Sequence, residues 1–192
     1  MTDALDHAET FINMIRYKTI VEKECFEYID KYNDFYNAYT PNGWSPLRYA
    51  CFSNCEQIAY KLIGVGADIN SCNDGKVSPL MWATINTNAK MVTELIRLGA
   101  DVNYNSIHHN SALMIALNEQ IIITLIKAGA YFLDVIGIYT RYDTPKVRQC
   151  IRDIYSQHII SVIDAKDDNA LAVSFRTTYA IGLVDIIGEF II

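Results

Sequence analysis

The chain is poor in charge, proline and histidine. Only 20% of its 192 residues are charged, and 16 basic side chains against 22 acidic ones leave a net charge of -6. A protein that works on a nucleic-acid backbone needs a clustered basic surplus. None is available here, so nucleic acid is not the expected partner. Long apolar runs are also lacking. The longest, "YAIGLVDIIGEFII" from Tyr179 to Ile192, is too short to span a bilayer and carries Asp185 and Glu189. No membrane span is expected. P-loop, GxGxxG, GxSxG and HExxH patterns are missing, which argues against an enzyme and against a bound cofactor. The five cysteines (Cys25, Cys51, Cys55, Cys72 and Cys150) are odd in number and form no CxxC pair. Met1 to Ala8 is polar and acidic, unlike a secretory leader. Reduced thiols and a cytoplasmic or nuclear setting follow as expectations. Cys51 and Cys55 stand four apart and could face one metal from a helix, but a second pair is missing. His108 and His109 are neighbours whose side chains point apart. No metal is expected.

What is present is a repeat. "LIGVGADIN" from Leu62 and "LIRLGADVN" from Leu95 share Leu-Ile, Gly-Ala-Asp and Asn at an offset of 33 residues. "SPLRYAC" from Ser45, "SPLMWAT" from Ser78 and "SALMIAL" from Ser111 keep the same step. Self-similarity at such a period signals stacked supersecondary units. Ser45 and Ser78 have the chemistry of helix N-caps, and Pro46 and Pro79 suit the first helical position. Leu47 with Ala50, and Leu80 with Ala83, then face inward from a short helix. Ile58, Ala59, Leu62 and Ile63, matched by Met91, Val92, Leu95 and Ile96, form the apolar face of a second helix. Gly66 and Gly99 end it in a left-handed cap.

Ser45-Pro46-Leu47 with Ala50, Ser78-Pro79-Leu80 with Ala83, and the two Gly-Ala-Asp segments together resemble the ankyrin repeat. That resemblance implies an all-α solenoid of helix-turn-helix pairs with β-turn or hairpin connections, here with a divergent C-terminal helical cap. The family's Thr is Ser in this chain, and its His is Arg48, Met81 and Met114. Loss of the Thr–His pair should loosen the first helix from its turn. Residues 1–44 are read as a degenerate N-terminal repeat with helices over about 4–17 and 21–32. Asn33 stands there in place of the capping glycine, as a left-handed residue. Regular repeats occupy 45–140, starting near 45, 78 and 111. In the third, Gly129 lies only 17 residues after Ala112, against 20 from Pro46 to Gly66 and from Pro79 to Gly99. The three missing residues are assigned to the turn between its helices, near "LNEQII".

Residues 141–192 are read as a helical pair or further repeat. Thr144-Pro145 opens one helix. Val147, Cys150, Ile151, Ile154, Tyr155, Ile159, Val162 and Ile163 form its stripe, which ends near Asp164. A last helix from about Ala170 carries Phe175, Tyr179, Leu183, Ile186, Ile187 and Phe190.

With no catalytic constellation, function should lie on the surface. The resemblance implies protein binding through turn tips and the exposed side of first helices. The variable positions there are Tyr39, Asn42 and Trp44, then Asp74 and Val77, then Tyr104, Ile107, His108 and Asn110, with Phe52, Ser53, Ile85 and Asn86 on the helices. Aromatic side chains in such a set are the residues that interfaces favour as anchors. Asn70 and Asn103 are expected to fix turns; by the resemblance they are also possible substrates of a host dioxygenase. Ile, Asn and Tyr usage, together with the degenerate repeats, is similar to ankyrin proteins of large DNA viruses. The expected partner is then a host factor, in signalling or the ubiquitin pathway, that is inhibited or redirected. No Leu-Pro start precedes the last helices, so a ligase-adaptor segment is not expected. An alternative is a structural subunit that assembles through the apolar stretch Tyr179–Ile192.

Overall fold

A computed structural model describes residues 2–17, 22–72, 77–131 and 144–164. They contain nine helices and no strand: α1 (Thr2–Arg16), α2 (Glu22–Lys31), α3 (Pro46–Phe52), α4 (Glu56–Gly64), α5 (Pro79–Ile85), α6 (Ala89–Arg97), α7 (Ala112–Ile115), α8 (Glu119–Lys127) and α9 (Pro145–Asp164). The chain divides into two compact units, 1–132 and 133–192.

The first unit is a solenoid of four helix pairs. First helices pack side by side, α1 on α3, α3 on α5 and α5 on α7; behind them α2 packs on α4 and α6 on α8. Each pair begins as its sequence dictates. The hydroxyls of Ser45, Ser78 and Ser111 accept from the backbone N–H of Arg48, Met81 and Met114 at 3.2, 3.3 and 3.2 Å. The core follows the period. Leu47, Leu80 and Leu113 are buried at one level, Ala50, Ala83 and Ala116 at the next, and Leu62, Leu95 and Leu125 on the second helices. Each leucine contributes about 1.5–3 kcal/mol of burial, but only if the neighbouring pair is present to cover it.

Every second helix ends in the same cap. At Gly66 the φ is 96°, at Gly99 97° and at Gly129 88°. The glycine N–H reaches back to the carbonyl of Ile63, Ile96 or Ile126, and the following alanine N–H to that of Leu62, Leu95 or Leu125. These are Schellman caps, in which two orphan carbonyls are satisfied and the alanine packs on the leucine. The turns inside the second and third pairs repeat the motif with residues other than glycine, Asn54 at φ 59° and Thr87 at φ 53°. Asparagine tolerates this region; a β-branched residue does so at a cost.

Asparagines at the repeat period then tie one pair to the next. Asn37 Nδ2 donates to the Gly66 carbonyl at 3.1 Å, and its Oδ1 accepts from the Asp68 N–H at 2.8 Å. Asn70 Oδ1 accepts from the Asp101 N–H at 2.9 Å. Asn103 donates to the Gly129 carbonyl at 3.0 Å and accepts from the Tyr131 N–H at 2.8 Å. The expected turn-fixing role is therefore served between repeats. A second tie joins the inner turns. Asn88 Nδ2 donates to Asn54 Oδ1 at 2.7 Å and to Glu56 Oε1 at 2.8 Å, while Lys90 lies 3.1 Å from Glu56 Oε2.

Three expectations are corrected. Asn33 is not left-handed: among the described residues the non-glycine positive φ values fall at Asn54, Thr87 and His109. The first pair turns instead through residues 33–38, pinned by His7 Nδ1 on Asp34 Oδ1 at 3.0 Å and by Phe35 buried between Phe11 and Tyr28. Second, the repeat register does not extend into α1. Ala8, Phe11, Ile12 and Ile15 are its buried stripe, whereas Tyr17, 33 residues before Ala50, is exposed. Third, the deletion in the third repeat falls in its first helix. α3 and α5 have 7 residues and α7 has 4. The connection 116–118 is as long as 53–55 and 86–88. Only the turn chemistry differs, with Ala116 extended at ψ 130° and no left-handed residue.

In the second unit, the Thr144 hydroxyl accepts from the Val147 N–H at 3.3 Å and opens α9. Val147, Cys150 and Ile151 are buried and Ile154 is half-buried, as the stripe implies. The side chains of Tyr155, Ile159, Val162 and Ile163, and the expected last helix with Phe175, Tyr179, Leu183, Ile186, Ile187 and Phe190, lie outside the described residues.

Two stability tests follow from this geometry. A Cβ on Gly99 would meet nothing within 4 Å, so Gly99→Ala is opposed by backbone strain alone. It should cost about 1–2 kcal/mol, and Thr87→Gly should gain about 0.5–1 kcal/mol from relief of the same strain, net of glycine's chain entropy. Urea melts in which both variants match the wild type would refute the assigned helix ends. The Glu56 carboxyl is held below its ordinary value of 4.5, chiefly by the Asn88 hydrogen bond and then by Lys90. Its stabilisation is complete above the unfolded pKa and disappears as pH falls past the folded one. Glu56→Gln should therefore melt below the wild type at pH 7, with the gap closing towards pH 3. A gap that stays constant with pH would show that the carboxylate charge is not part of the tie.

Candidate protein-binding surface

The short first helices place one face of each repeat outward. In α3 Phe52 is exposed on that face, with Tyr49 buried beside it; in α5 Ile85 is exposed and Trp82 half-buried. The turn before α3 adds Trp44, positioned by Thr40. Thr40 Oγ1 accepts from the Trp44 N–H at 3.1 Å, and Gly43 supplies φ 70°. The result is one aromatic cluster. Trp44 lies 5.3 Å from Tyr49, 5.1 Å from Phe52 and 5.8 Å from Trp82, and Phe52 meets Trp82 edge-on at 4.9 Å. Phe52 is 42% exposed and Ile85 48%. Arginines flank the rings. Arg16 Nε donates to Tyr49 Oη at 3.3 Å, which raises the Arg16 pKa. Arg48 stacks on Trp44 with its guanidinium carbon 4.6 Å from the ring centre. A cleft of about 180 Å³ beside Trp44 is lined by Glu9, Asn13, Arg16 and Asn42, among others.

Of the residues expected at the surface, Trp44 and Phe52 come together in this cluster, with exposed Asn42 at its edge. Ser53, Asn86 and Val77 are half-buried. Asn86 is structural: its Nδ2 donates to the carbonyls of Cys51 and Phe52 at 2.8 and 3.0 Å. Tyr39, Cys72 and Tyr104 form a separate group near the base of the turns. A hydrogen bond to the Cys72 thiol, then burial, pushes the Tyr104 phenol up to about 12. Burial also raises Tyr39, ahead of the nearby Asp68 charge. Ile107, His108 and Asn110 sit on the third turn, built like the first. Ser106 Oγ accepts from the N–H groups of His108 and Asn110 at 3.3 and 3.2 Å, and His109 at φ 58° takes the place of Gly43. Ile107 and His108 are exposed there. Asp74 lies outside the described residues.

Sequence reasoning missed Tyr49, Trp82 and Arg16. The signal was available. Tyr49 and Trp82 occupy the same place in their repeats at the period of 33, the residue before the inward Ala50 or Ala83. A helix position adjacent to a buried one is easily passed over as packing. α7 lacks the last turn that carries Phe52 in α3 and Ile85 in α5, and Leu117, just past its end, is exposed.

The cysteines do not assemble a site. Among the described residues no group of three His, Cys, Asp or Glu could hold a metal. Cys51 is fully buried and Cys25 nearly so. Burial pushes Cys51 far up and raises Cys25 to about 11, with smaller contributions from neighbouring acidic groups and Cys55. Nor is any helix among the described residues long and apolar enough to cross a membrane.

Stacked helix pairs with Ser-Pro-Leu starts, Schellman-capped second helices and an exposed first-helix face define an all-α ankyrin-repeat solenoid, a fold that generally serves protein–protein interaction. The family model described as Ankyrin repeats (3 copies) matches residues 54–134. That span takes in α4 and the pairs opened by Ser78 and Ser111. Comparison with curated proteins gives no match.

Thiol access gives a direct check on the burial pattern. A thiol reagent at neutral pH should modify Cys55 and Cys72, which are half-buried, well before Cys25 and Cys51. Mass spectrometry of the labelled peptides reads this out; early labelling of Cys51 would contradict the packing of α3.

Proposed function

We propose that the chain is a non-catalytic protein-binding module that grips its partner with the first-helix face centred on Trp44, Phe52, Trp82 and Ile85. The exposure of Phe52 and Ile85 beside a ring cluster carries this reading. Surface apolar side chains gathered in one stripe mark interaction sites, and Trp and Tyr are the anchors such sites favour. The turn residues Tyr39, Asn42, Ile107, His108 and Asn110 extend the surface along the array, with Tyr104, Val77 and Asp74 as further members. The Ile, Asn and Tyr usage and the worn repeats support a source in a large DNA virus or intracellular pathogen. The partner is then a host signalling or ubiquitin-pathway protein, met in the cytoplasm or nucleus and inhibited or redirected by binding.

Phe52→Ser combined with Ile85→Ser tests the surface. Helical circular dichroism should be unchanged, while proteins retained from host-cell lysate by the wild-type chain should be lost. An identical set of retained proteins would move the interface away from this face.

A further inference from the structure

Arg48 is a buried cation whose donors are mostly unpaired. It occupies the third position of α3, is 0% exposed, and stays charged in any ordinary protein environment. One guanidinium nitrogen, Nη1, donates to the Gly43 carbonyl. The other two, Nε and Nη2, are buried without a hydrogen-bond partner. These two N–H groups lie along one edge of the planar guanidinium, the fork that a carboxylate meets with two parallel bonds. Burial lowers the Arg48 pKa, and the described groups bearing on it electrostatically are Tyr39 and Cys72, neither of them a carboxylate. A buried cation with an empty fork is a cost to the fold. The fold has an apolar alternative and uses it twice, since Met81 and Met114 occupy the same position in the next two repeats. Packing therefore does not require an arginine.

We infer that the Tyr39–Trp44–Arg48 corner is an anion-recognition site, and that the free edge of Arg48 takes a carboxylate side chain, aspartate or glutamate, of the protein partner. This rests on the reading of the first-helix face as a protein-binding surface. Trp44 belongs to both, so the site lies at the margin of the aromatic cluster. Entry requires the ring of Tyr39 or Trp44 to swing aside; Tyr39 is 43% exposed and Trp44 half-buried. Binding would then exchange an unpaired buried charge for a bidentate pair. The free chain holds the cation ready, and the acidic residue supplies specificity, because a neutral isostere leaves the fork empty.

The test selects random peptides on the intact wild-type chain by phage display. The selected peptides should share an Asp or Glu. Its change to Asn or Gln should weaken binding to the wild type about tenfold or more, whereas Arg48→Met should bind the acidic and neutral forms equally. Arg48→Met should also melt at or above the wild-type temperature. Arg48→Lys keeps the charge but loses the fork, and should lose most of the preference for the acid. Peptides without a shared acid, or a preference for the acid that survives in Arg48→Met, would overturn the anion site and leave the binding surface standing. A melting temperature several degrees lower in Arg48→Met would overturn it as well, by showing that the arginine stabilises the free fold. If no peptide can be selected, both the site and the surface fall.

Discussion

The array depends on the joint between a second helix and the pair that precedes it. A Schellman glycine turns the chain, and an asparagine from the preceding repeat reads that turn. Asn37 bonds to the carbonyl of Gly66 and the N–H of Asp68, and Asn103 to the carbonyl of Gly129 and the N–H of Tyr131. Neither part suffices alone. A helix of nine residues is marginal in isolation, and its leucine stays dry only when the next pair covers it. The glycine sets the direction of exit, the asparagine sets the distance to the neighbour, and the hydrophobic layers at Leu47, Leu80 and Leu113 then fall into register.

The face used for binding is a consequence of that regularity. Because α3 and α5 are each anchored by a serine cap and a buried leucine–alanine pair, Phe52 and Ile85 are presented outward one repeat apart. Tyr49 and Trp82 share the position before the inward alanine, and Arg16 of the preceding pair donates to Tyr49. Variation there costs the scaffold little. Arg48 is the exception. It lies on the inner side, where the next two repeats carry methionine, and its unpaired edge departs from the local solution to packing. Such a departure belongs to function when it is not compensated elsewhere in the fold.

Much of this was legible in the letters. Serine and proline before an apolar run, and glycine after one, act through local chemistry, so the starts of α3, α5 and α7 and the ends of α4, α6 and α8 could be placed without a structure. The same logic misjudged three places. Asn33 resembles a left-handed cap, but the clamp of His7 on Asp34 and the burial of Phe35 turn the first pair another way. The register of α1 is set by its own buried stripe of Ala8, Phe11, Ile12 and Ile15, which does not follow the period of 33. The three residues missing from the third repeat came out of α7, since a helix can lose one turn while its flanking caps survive. At the surface, Trp44 and Phe52 were recognisable as anchors, whereas their union with Trp82 and Tyr49 was not.

The sequence by itself determined the period, the caps and the class of fold, because those are carried by residues acting within a few positions of themselves. The tertiary structure decided which of the aromatic residues meet, that Asn70 and Asn103 work across repeats, and that Arg48 is buried with two of its three guanidinium nitrogens unpaired. These depend on the spacing between neighbouring pairs, which only packing fixes.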